Sequence, residues 1–289
     1  MRALVISGGG SKGAFAGGVA EKLIRDLGHQ YELFIGTSTG SLLCPFLAID
    51  QIDKIKNIYI NTSQSDIFSN CPFKIGSNKH GKKTISIHHL NVLRNFLNLS
   101  KTFGESYQLL DLIYRSFTKE DFEILQKTNR EVICTVSNLS LHKIEYKSSK
   151  EFSYEEFCKW IWISCNFVPF MTLANINGND YADGSLGVSV AIEEAIRRGA
   201  KTIDAIILEV ENKNIHLKPM KNAFSLLSNM YSFTKDILEN QNIQVAKDFA
   251  KKKNIEINFY YTPTRLTNNP LIFNKEEMTA WWELGKNSI

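Results

Sequence analysis

A glycine–serine turn between a short apolar segment and a helix restricts the fold of this chain more than any other sequence feature. The turn reads Gly36-Thr37-Ser38-Thr39-Gly40, a GxSxG pattern. The apolar run at residues 31–35 predicts a strand before it, and apolar residues between 42 and 47 predict a helix that begins near Ser38. In this context the pattern is typical of a nucleophile elbow, a sharp turn that projects the serine from the backbone. We therefore expect Ser38 to be a nucleophile.

A second glycine-rich stretch, Gly8-Gly9-Gly10-Ser11-Lys12-Gly13, lies between an apolar run at residues 4–6 and a predicted helix at 14–27. Glycines at such a junction let backbone N–H groups approach a ligand, and the helix N-terminus adds positive potential. Taken alone, this motif leaves three interpretations open. It fits a dinucleotide or phosphate site, with Glu32 near the expected acidic position. It also fits an oxyanion hole, or a simple tight turn.

The histidines of the chain do not fit a catalytic triad with Ser38. A serine of ordinary pKa needs a base, and an α/β-hydrolase would supply an acid and then a histidine after the serine. His216 is the one histidine after Asp183, and it follows the polar stretch Asn212-Lys213-Asn214. The elbow also comes after only two predicted strands, which is early for that fold. A histidine-based triad is therefore disfavoured.

The third motif is Asp180-Tyr181-Ala182-Asp183-Gly184-Ser185, whose Asp-Gly pair would by itself indicate an ordinary surface turn. Together with the first two motifs, in this order and spacing, it resembles the three signatures of the patatin-like phospholipases. Residues 163–170 resemble the serine-rich, proline-containing segment that precedes the aspartate in that family. The resemblance covers about residues 2–210. The chain departs from the family pattern at Ser185 and over residues 186–190.

The resemblance implies a reaction and a set of roles. Ser38 would attack an ester carbonyl of a lipid or phospholipid, and Asp183 would take its proton directly, without a histidine and without a cofactor. Backbone N–H groups of Gly8, Gly9, Gly10, Ser11, Lys12 and Gly13 would hold the oxyanion. Gly36, Thr37, Thr39 and Gly40 would form the elbow, and Gly184 and Ser185 would complete the acid motif. Lys12 would support a lipid head group or the oxyanion, or it would be a solvated residue at the start of a helix.

The alternation of predicted strands and helices is typical of an α/β fold with a mostly parallel sheet. The resemblance implies the patatin-like form of this fold, with three layers in the order α/β/α. We expect one domain over residues 1–289, with the motifs in a core at about 2–210 and C-terminal helices and a strand at 219–289 packed on it. A long helix is predicted at 221–252, and its apolar face would comprise Ala223, Leu227, Met230, Ile237, Val245 and Phe249.

Residues 62–128 are expected to cover the site as a lid, with residues 62–89 as a long loop. Four lysines of this loop, Lys74, Lys79, Lys82 and Lys83, would either meet anionic head groups or be solvated. Near the C-terminus, Trp281 and Trp282 would either anchor the protein at a membrane surface or dock a terminal helix on the core.

Composition excludes several classes of function. The formal net charge of +4 is too small to indicate nucleic-acid binding. Five cysteines without a CxxC pair are typical of reduced thiols, and the scattered histidines do not indicate a metal site. We find neither a signal peptide nor an apolar run of bilayer length, which favours the cytoplasm or a leaderless delivery route. The sequence does not identify an activating partner.

Three alternatives to a lipid acyl hydrolase remain from the sequence. A carboxylesterase or acyltransferase would use the same serine and aspartate on small acyl esters. A nucleotide-binding oxidoreductase would use the glycine-rich stretch for a pyrophosphate. A non-catalytic lipid-binding module would not need Ser38.

Overall fold

The computed structural model describes residues 1–77, 83–211 and 223–289 of this chain. The strands in this part of the chain are β1 (Arg2–Ile6), β2 (Leu33–Thr37), β3 (Phe73–Ser77), β4 (Lys83–Ile87), β5 (Glu131–Asn138), β6 (Lys143–Ser148), β7 (Ala174–Ile176), β8 (Asn179–Asp183), β9 (Thr202–Ile207) and β10 (Glu256–Tyr261). The α-helices are α1 (Gly13–Glu21), α2 (Thr39–Ala48), α3 (Ile52–Asn61), α4 (His89–Leu97), α5 (Tyr107–Ser116), α6 (Lys119–Lys127), α7 (Tyr154–Ser164), α8 (Ile192–Arg197), α9 (Ala223–Lys253) and α10 (Lys275–Lys286).

The central sheet is mostly parallel, as predicted. Its strand order is β10-β9-β1-β2-β5-β8-β7, and β6 pairs with β5. The first five strands of this order are parallel to one another, whereas β6, β7 and β8 form antiparallel pairs. The parallel strands β1 and β2 are apolar and buried on both faces, which is the pattern expected where helices cover both sides of a sheet.

Two hydrophobic clusters confirm the three-layer architecture. Successive residues of β1 point to opposite faces, so that Leu4 and Ile6 belong to one cluster while Ala3 and Val5 belong to the other. The first cluster includes side chains of α1, α2, α7 and α10, and the second includes side chains of α8 and α9. Helices therefore cover both faces of the sheet.

The prediction of a long loop at residues 62–89 is wrong. Strands β3 and β4 form a separate two-stranded antiparallel sheet in this region, with Phe73 opposite Ile87. Both strands are short and carry polar residues and glycine between their apolar ones, so that their period of two is weak. Lys79 and Lys82 lie outside the described residues.

The predicted apolar face of the long helix α9 is also wrong in part. Met230, Ile237, Val245 and Phe249 are exposed, whereas Ile243, Ala246 and Ala250 are buried against the sheet. Large apolar side chains occur on more than one side of this helix, so that their spacing did not identify the buried side. The two alanines are small enough to let the helix backbone approach the sheet closely.

The two C-terminal tryptophans dock helix α10 on α1, and their interpretation as a membrane anchor is wrong. Trp281 and Trp282 are buried, and the Trp282 indole N–H donates to a carboxylate oxygen of Glu21 at 2.7 Å. Glycines allow the two helices to come together, since a Cβ atom on Gly18 would lie 1.9 Å from the carbonyl oxygen of Trp282. Across residues 1–77, 83–211 and 223–289, no helix combines the length and apolarity needed to span a bilayer.

This close packing predicts the effect of a methyl group at Gly18. We expect Gly18→Ala to lower the free energy of unfolding by about 1–3 kcal/mol, because the added carbon overlaps a backbone oxygen that cannot rotate away. Intrinsic helix propensity alone would raise the free energy of unfolding of the alanine variant by about 1 kcal/mol. The expected loss of stability is therefore opposite to the effect of propensity. Urea denaturation measures the difference.

The matched control is Ala280→Gly, a change of the same size at an exposed position of α10. This control should cost about 1 kcal/mol, the difference in propensity between alanine and glycine. Equal or greater stability of Gly18→Ala relative to the unmodified protein would contradict the packing argument.

Candidate active site

The pairing of strand β5 brings Ser38 and Asp183 together. Residues 133–135 of β5 pair with both β2 and β6, and residues 136–138 pair with both β6 and β8. Since a strand has two edges, β2 and β8 must share the edge opposite β6. On this edge Thr37 pairs with Thr135, and Asp183 pairs with the next residue, Val136. The residue after Thr37 is Ser38, so the serine and the aspartate meet where β2 ends and β8 ends.

Ser38 has the backbone geometry of a nucleophile elbow. Its φ of 53° and ψ of −120° lie in a region that side-chain-bearing residues rarely adopt. The flanking positions have no room for a side chain. A Cβ atom on Gly36 would lie 2.3 Å from the backbone of Gly40, and one on Gly40 would lie 2.4 Å from the carbonyl oxygen of Ile6. The strained turn at Ser38 is therefore held by close backbone packing on both sides.

Asp183 is buried, and the interpretation of its motif as a surface turn is wrong. Its carboxylate accepts the backbone N–H of Ser185 at 2.8 Å, and the side chain of Ser38 is near enough to influence its pKa. Burial raises the pKa of Asp183 to about 6, although the interactions with Ser185 and Ser38 and the positive charge of Lys235 act to lower it. The carboxyl group is thus a stronger base than an ordinary aspartate and is still mostly ionised at neutral pH.

The glycine-rich stretch passes directly beside the elbow. A Cβ atom on Gly8 would lie 3.2 Å from Cβ of Ser38 and 2.1 Å from the hydroxyl of Ser185. Four of its N–H groups already have backbone partners: Gly8 donates to Ser189, Ser11 to Pro270, Lys12 to Gly9 and Gly13 to Gly10. Within the described ranges, no hydrogen bond uses the N–H groups of Gly9 and Gly10. The set of available donors is therefore narrower than the six residues named from the sequence.

Lys12 is neither solvated nor placed on the serine–aspartate pair. Its side chain is buried, and its ammonium group donates to the carbonyl oxygen of Leu208 at 2.6 Å and to the carboxylate of Glu209 at 2.5 Å. Burial and the neighbouring charge of Lys235 lower the pKa of Lys12 to about 8, against the opposing effect of Glu209. These contacts tie the glycine-rich stretch to the chain that follows β9.

The segment at residues 163–170 fastens the elbow to β5. The Ser164 hydroxyl donates to the carbonyl oxygen of Thr135 at 2.7 Å and accepts the backbone N–H of Ser38 at 3.0 Å. Asp183 donates its backbone N–H to the carbonyl oxygen of Asn166 at 3.0 Å. The family resemblance marked this segment without giving it a role, and the structure shows that it holds both Ser38 and Asp183.

Tyr59 on α3 is a contributor that the sequence did not reveal. Its hydroxyl donates to the carbonyl oxygen of Gly10 at 2.6 Å and contacts the hydroxyl of Thr39. Burial raises the pKa of the Tyr59 phenol well above its ordinary value. Tyr59 therefore links the glycine-rich stretch to the first residue of α2. No local motif marks it, because the contact depends on the packing of α3 against α1 and α2.

The pair lies in the wall of a cavity of about 560 Å³. Apolar side chains of α2, α3, α5 and the β3–β4 hairpin line much of it, among them Phe46, Ile58, Leu112, Phe73 and Ile85. The cavity also has a polar side that includes Lys12, Glu209, Lys235 and Arg265. No histidine of the described chain lines it, and His216 lies outside the described residues.

A dinucleotide site is not supported by the position of Glu32. This residue precedes β2, whereas the glycine-rich stretch follows β1, and β1 and β2 are parallel. Glu32 therefore lies at the amino-terminal ends of these strands, whereas the glycines lie at their carboxyl ends. There its carboxylate accepts the backbone N–H of Arg2 at 2.6 Å. A ribose bound beside the glycines would be out of its reach. Among the described side chains, no cluster of histidine, cysteine, aspartate or glutamate is arranged to hold a metal ion.

Comparison with known proteins identifies similar families and folds. The family model of the patatin-like phospholipases matches residues 4–196. The crystal structure of VipD from Legionella pneumophila is similar in fold, with a TM-score of 0.52 and 12% sequence identity. The alignment covers 99% of this chain and 65% of the VipD chain, so this chain spans less than two thirds of that structure. A sequence search of curated proteins found no match.

The contacts of Tyr59 predict the effect of removing its hydroxyl group. We expect Tyr59→Phe to lower the free energy of unfolding by about 1–2 kcal/mol, because the substitution removes a buried hydrogen-bond donor to Gly10 and a partner of Thr39. Urea denaturation measures this loss. The matched control is Tyr107→Phe at an exposed tyrosine, which should change stability by less than about 0.5 kcal/mol. Equal effects of the two substitutions would show that the Tyr59 hydroxyl does not hold the loop.

Proposed function

Since this chain belongs to the patatin-like phospholipase family, we propose that it hydrolyses fatty-acyl esters of lipids, with Ser38 as the nucleophile and Asp183 as the general base. The observation that carries this proposal is the position of Ser38, in its strained turn, beside the buried carboxyl group of Asp183 at one wall of a largely apolar cavity. A histidine has no part in the reaction.

In the first half of the reaction, the Ser38 hydroxyl oxygen attacks the acyl carbon while its proton passes to Asp183. The carbonyl oxygen of the ester becomes an oxyanion, and the N–H groups of Gly9 and Gly10 stabilise it. Breakage of the ester bond then releases the alcohol part of the lipid, which takes the proton from Asp183. The acyl group remains bound to Ser38 as an ester.

In the second half, water replaces the alcohol beside Asp183. The carboxylate takes a proton from this water as its oxygen attacks the acyl carbon, and the same two N–H groups hold the second oxyanion. The bond to Ser38 breaks, the serine recovers its proton, and a fatty acid leaves. Each oxyanion donor is typically worth about 3 kcal/mol, and general-base assistance about 10²–10⁴-fold in rate.

The shape and lining of the cavity favour a long acyl chain over a small soluble ester. Side chains such as Phe46, Ile58 and Leu112 offer an apolar surface that a fatty-acyl tail would cover, and a short acyl group would leave most of it in contact with water. We therefore favour a lipid acyl hydrolase of the phospholipase A type over a carboxylesterase or acyltransferase. The polar side of the cavity, with Lys235 and Arg265, would face the head group or the leaving alcohol.

We also propose that residues 1–289 act as one catalytic domain. The match to the family model ends at residue 196, but later residues contact the site. Pro270 accepts the backbone N–H of Ser11 at 2.8 Å, and α10 packs on α1 directly after the glycine-rich stretch. Removing the C-terminal part would therefore disturb the proposed oxyanion donors.

The dyad is tested with a fluorophosphonate probe and with fatty-acid release from phospholipid vesicles. The unmodified protein should be labelled and should release fatty acid, while Ser38→Ala should do neither. Asp183→Asn should lower fatty-acid release by about 10²–10⁴-fold, because the amide cannot accept the proton. The matched control is Asp180→Asn, which removes an aspartate from the same strand at a position away from the cavity. Labelling of Ser38→Ala, or full release by Asp183→Asn, would refute the dyad.

The raised pKa of Asp183 predicts the pH dependence of the reaction. Below about pH 6 the carboxyl group is protonated and cannot act as a base, so kcat/KM for a soluble ester should fall about tenfold per pH unit and be constant above that pH. The positive charge of Lys235 lowers this pKa, so Lys235→Met should move the acidic limb to higher pH. An acidic limb near 3.8, the ordinary value, would contradict the assignment of Asp183 as a buried base.

A further inference from the structure

Residues 67–104 form the most basic segment of the chain. This segment contains no aspartate or glutamate, whereas the rest of the chain contains more acidic than basic residues. Its six lysines and arginines are Lys74, Lys79, Lys82, Lys83, Arg94 and Lys101. No acidic side chain within the segment offsets these charges, and the ion pair of Lys101 is with Asp180, outside the segment, at 3.4 Å.

Helix α4, in the middle of this segment, directs its apolar side to the solvent. Leu90, Leu93 and Leu97 are 71%, 53% and 71% exposed, and Leu99 just beyond the helix is 90% exposed. The spacing of the first three, i, i+3 and i+7, places them on one side of the helix. Arg94 lies beside them and is also exposed. The exposed side is thus a strip of leucines with a cation at its edge.

Two asparagines of α4 face the protein. Asn95 is buried, donates to the carbonyl oxygen of Phe103 at 2.8 Å and accepts a hydrogen bond from the side chain of Asn70 at 2.9 Å. Asn91 donates to the carbonyl oxygen of Cys71 at 3.1 Å. An ordinary surface helix directs its large apolar residues inward. In α4 the two asparagines contribute to its attachment, whereas Leu90, Leu93 and Leu97 are left exposed.

This helix lies next to the cavity. It follows β4 directly, and the residue between them, His88, donates its backbone N–H to the carbonyl oxygen of Pro72, the residue before β3, at 2.8 Å. The neighbouring residue Phe73 on β3 and Ile85 on β4 line the cavity that holds Ser38. A surface that binds α4 would therefore be adjacent to the proposed acyl site.

We propose that α4, with the exposed cations Arg94 on the helix and Lys74 on the neighbouring strand β3, docks this protein on an anionic lipid bilayer. Leucines at the level of the acyl chains and cations at the level of the head groups are the two components of interfacial membrane binding. Each basic residue near a negatively charged leaflet adds to the attraction, and no acidic residue within 67–104 opposes it. A protein partner would not require this acid-free stretch. The reason for docking, to bring the cavity to its lipid substrate, rests on the proposed function. Binding to the bilayer does not itself need catalysis.

Docking is measured by flotation of the full chain with vesicles, using Ser38→Ala so that lipid is not consumed. Vesicles of phosphatidylcholine mixed with phosphatidylserine should carry the protein, and vesicles of phosphatidylcholine alone should carry much less. Substituting Leu90, Leu93 and Leu97 together by serine should lower binding by at least about tenfold, because each leucine that leaves water contributes to the partition. High salt should also lower binding.

The matched control replaces three exposed apolar residues elsewhere, Leu27, Ile124 and Leu141, by serine. This variant should float like its parent. Equal flotation of the two triple variants would overturn the proposal, and so would a failure of the parent to float with either kind of vesicle. Equal flotation with both kinds of vesicle would overturn the part that concerns anionic lipid.

A second measurement separates docking from catalysis and from misfolding. With Ser38 intact, the α4 triple variant should hydrolyse a soluble short-chain ester at the unmodified rate, because none of its three positions lines the cavity. Its fatty-acid release from anionic vesicles should fall at least about tenfold. Loss of both activities together would indicate a damaged site and would overturn the separation of docking from catalysis. If the unmodified protein hydrolysed neither substrate but still floated through α4, the proposed function would fail while the docking surface stood.

Discussion

The shared edge of strand β5 is the constraint on which the candidate site depends. Strand β2 arrives along this edge from one direction and β8 from the other, and they end at neighbouring positions, Thr135 and Val136. A shift of either strand by one residue would reverse its side chains and separate Ser38 from Asp183. The surrounding contacts secure this register: Ser164 bonds to the carbonyl oxygen of Thr135, and a Cβ atom on Gly184 would lie 2.4 Å from that same oxygen. The glycine after the aspartate is therefore needed for packing against β5 as well as for the turn.

The sequence predicted the parts of the molecule whose signals are local. Short apolar runs that end in glycine located β1 and β2, and the GxSxG pattern located the elbow at Ser38. The β3–β4 hairpin was missed because its strands are short and partly polar. Tyr59 and Pro270 were missed for another reason: each acts on the glycine-rich stretch from a distant part of the chain, and no pattern of neighbouring residues marks such a contact. The buried side of α9 was likewise decided by the sheet that it covers.

The site combines three local costs, and each has a function in the proposed reaction. Ser38 adopts a strained backbone conformation, Asp183 is a carboxylate removed from water, and the N–H groups of Gly9 and Gly10 lack partners within the described residues. Strain presents the hydroxyl group, burial raises the basicity of the carboxylate, and unpaired donors can respond to a charge that arises only during the reaction. Close helix packing occurs at Gly18, on the helix that follows the glycine-rich stretch, and Lys12, within that stretch, forms an ion pair with Glu209. We infer that they offset the local costs and keep the geometry fixed.

Residues far from the glycine-rich stretch in sequence limit how many N–H groups are available as the proposed oxyanion donors. The glycine-rich stretch contains a row of backbone N–H groups. The carbonyl oxygen of Pro270 accepts the N–H of Ser11, and that of Ser189 accepts the N–H of Gly8. Pro270 also limits the loop sterically, since a Cβ atom on Gly10 would lie 2.3 Å from its carbonyl oxygen. The positive φ of 56° at Gly10 requires a glycine there independently of this contact. The folded context thus distinguishes Gly9 and Gly10 as the proposed donors, whereas the motif alone does not distinguish among its glycines. The family motif supplies the loop, and the segment after β10, outside the matched residues, contacts it at Gly10 and Ser11 and so limits which of its N–H groups stay unpaired.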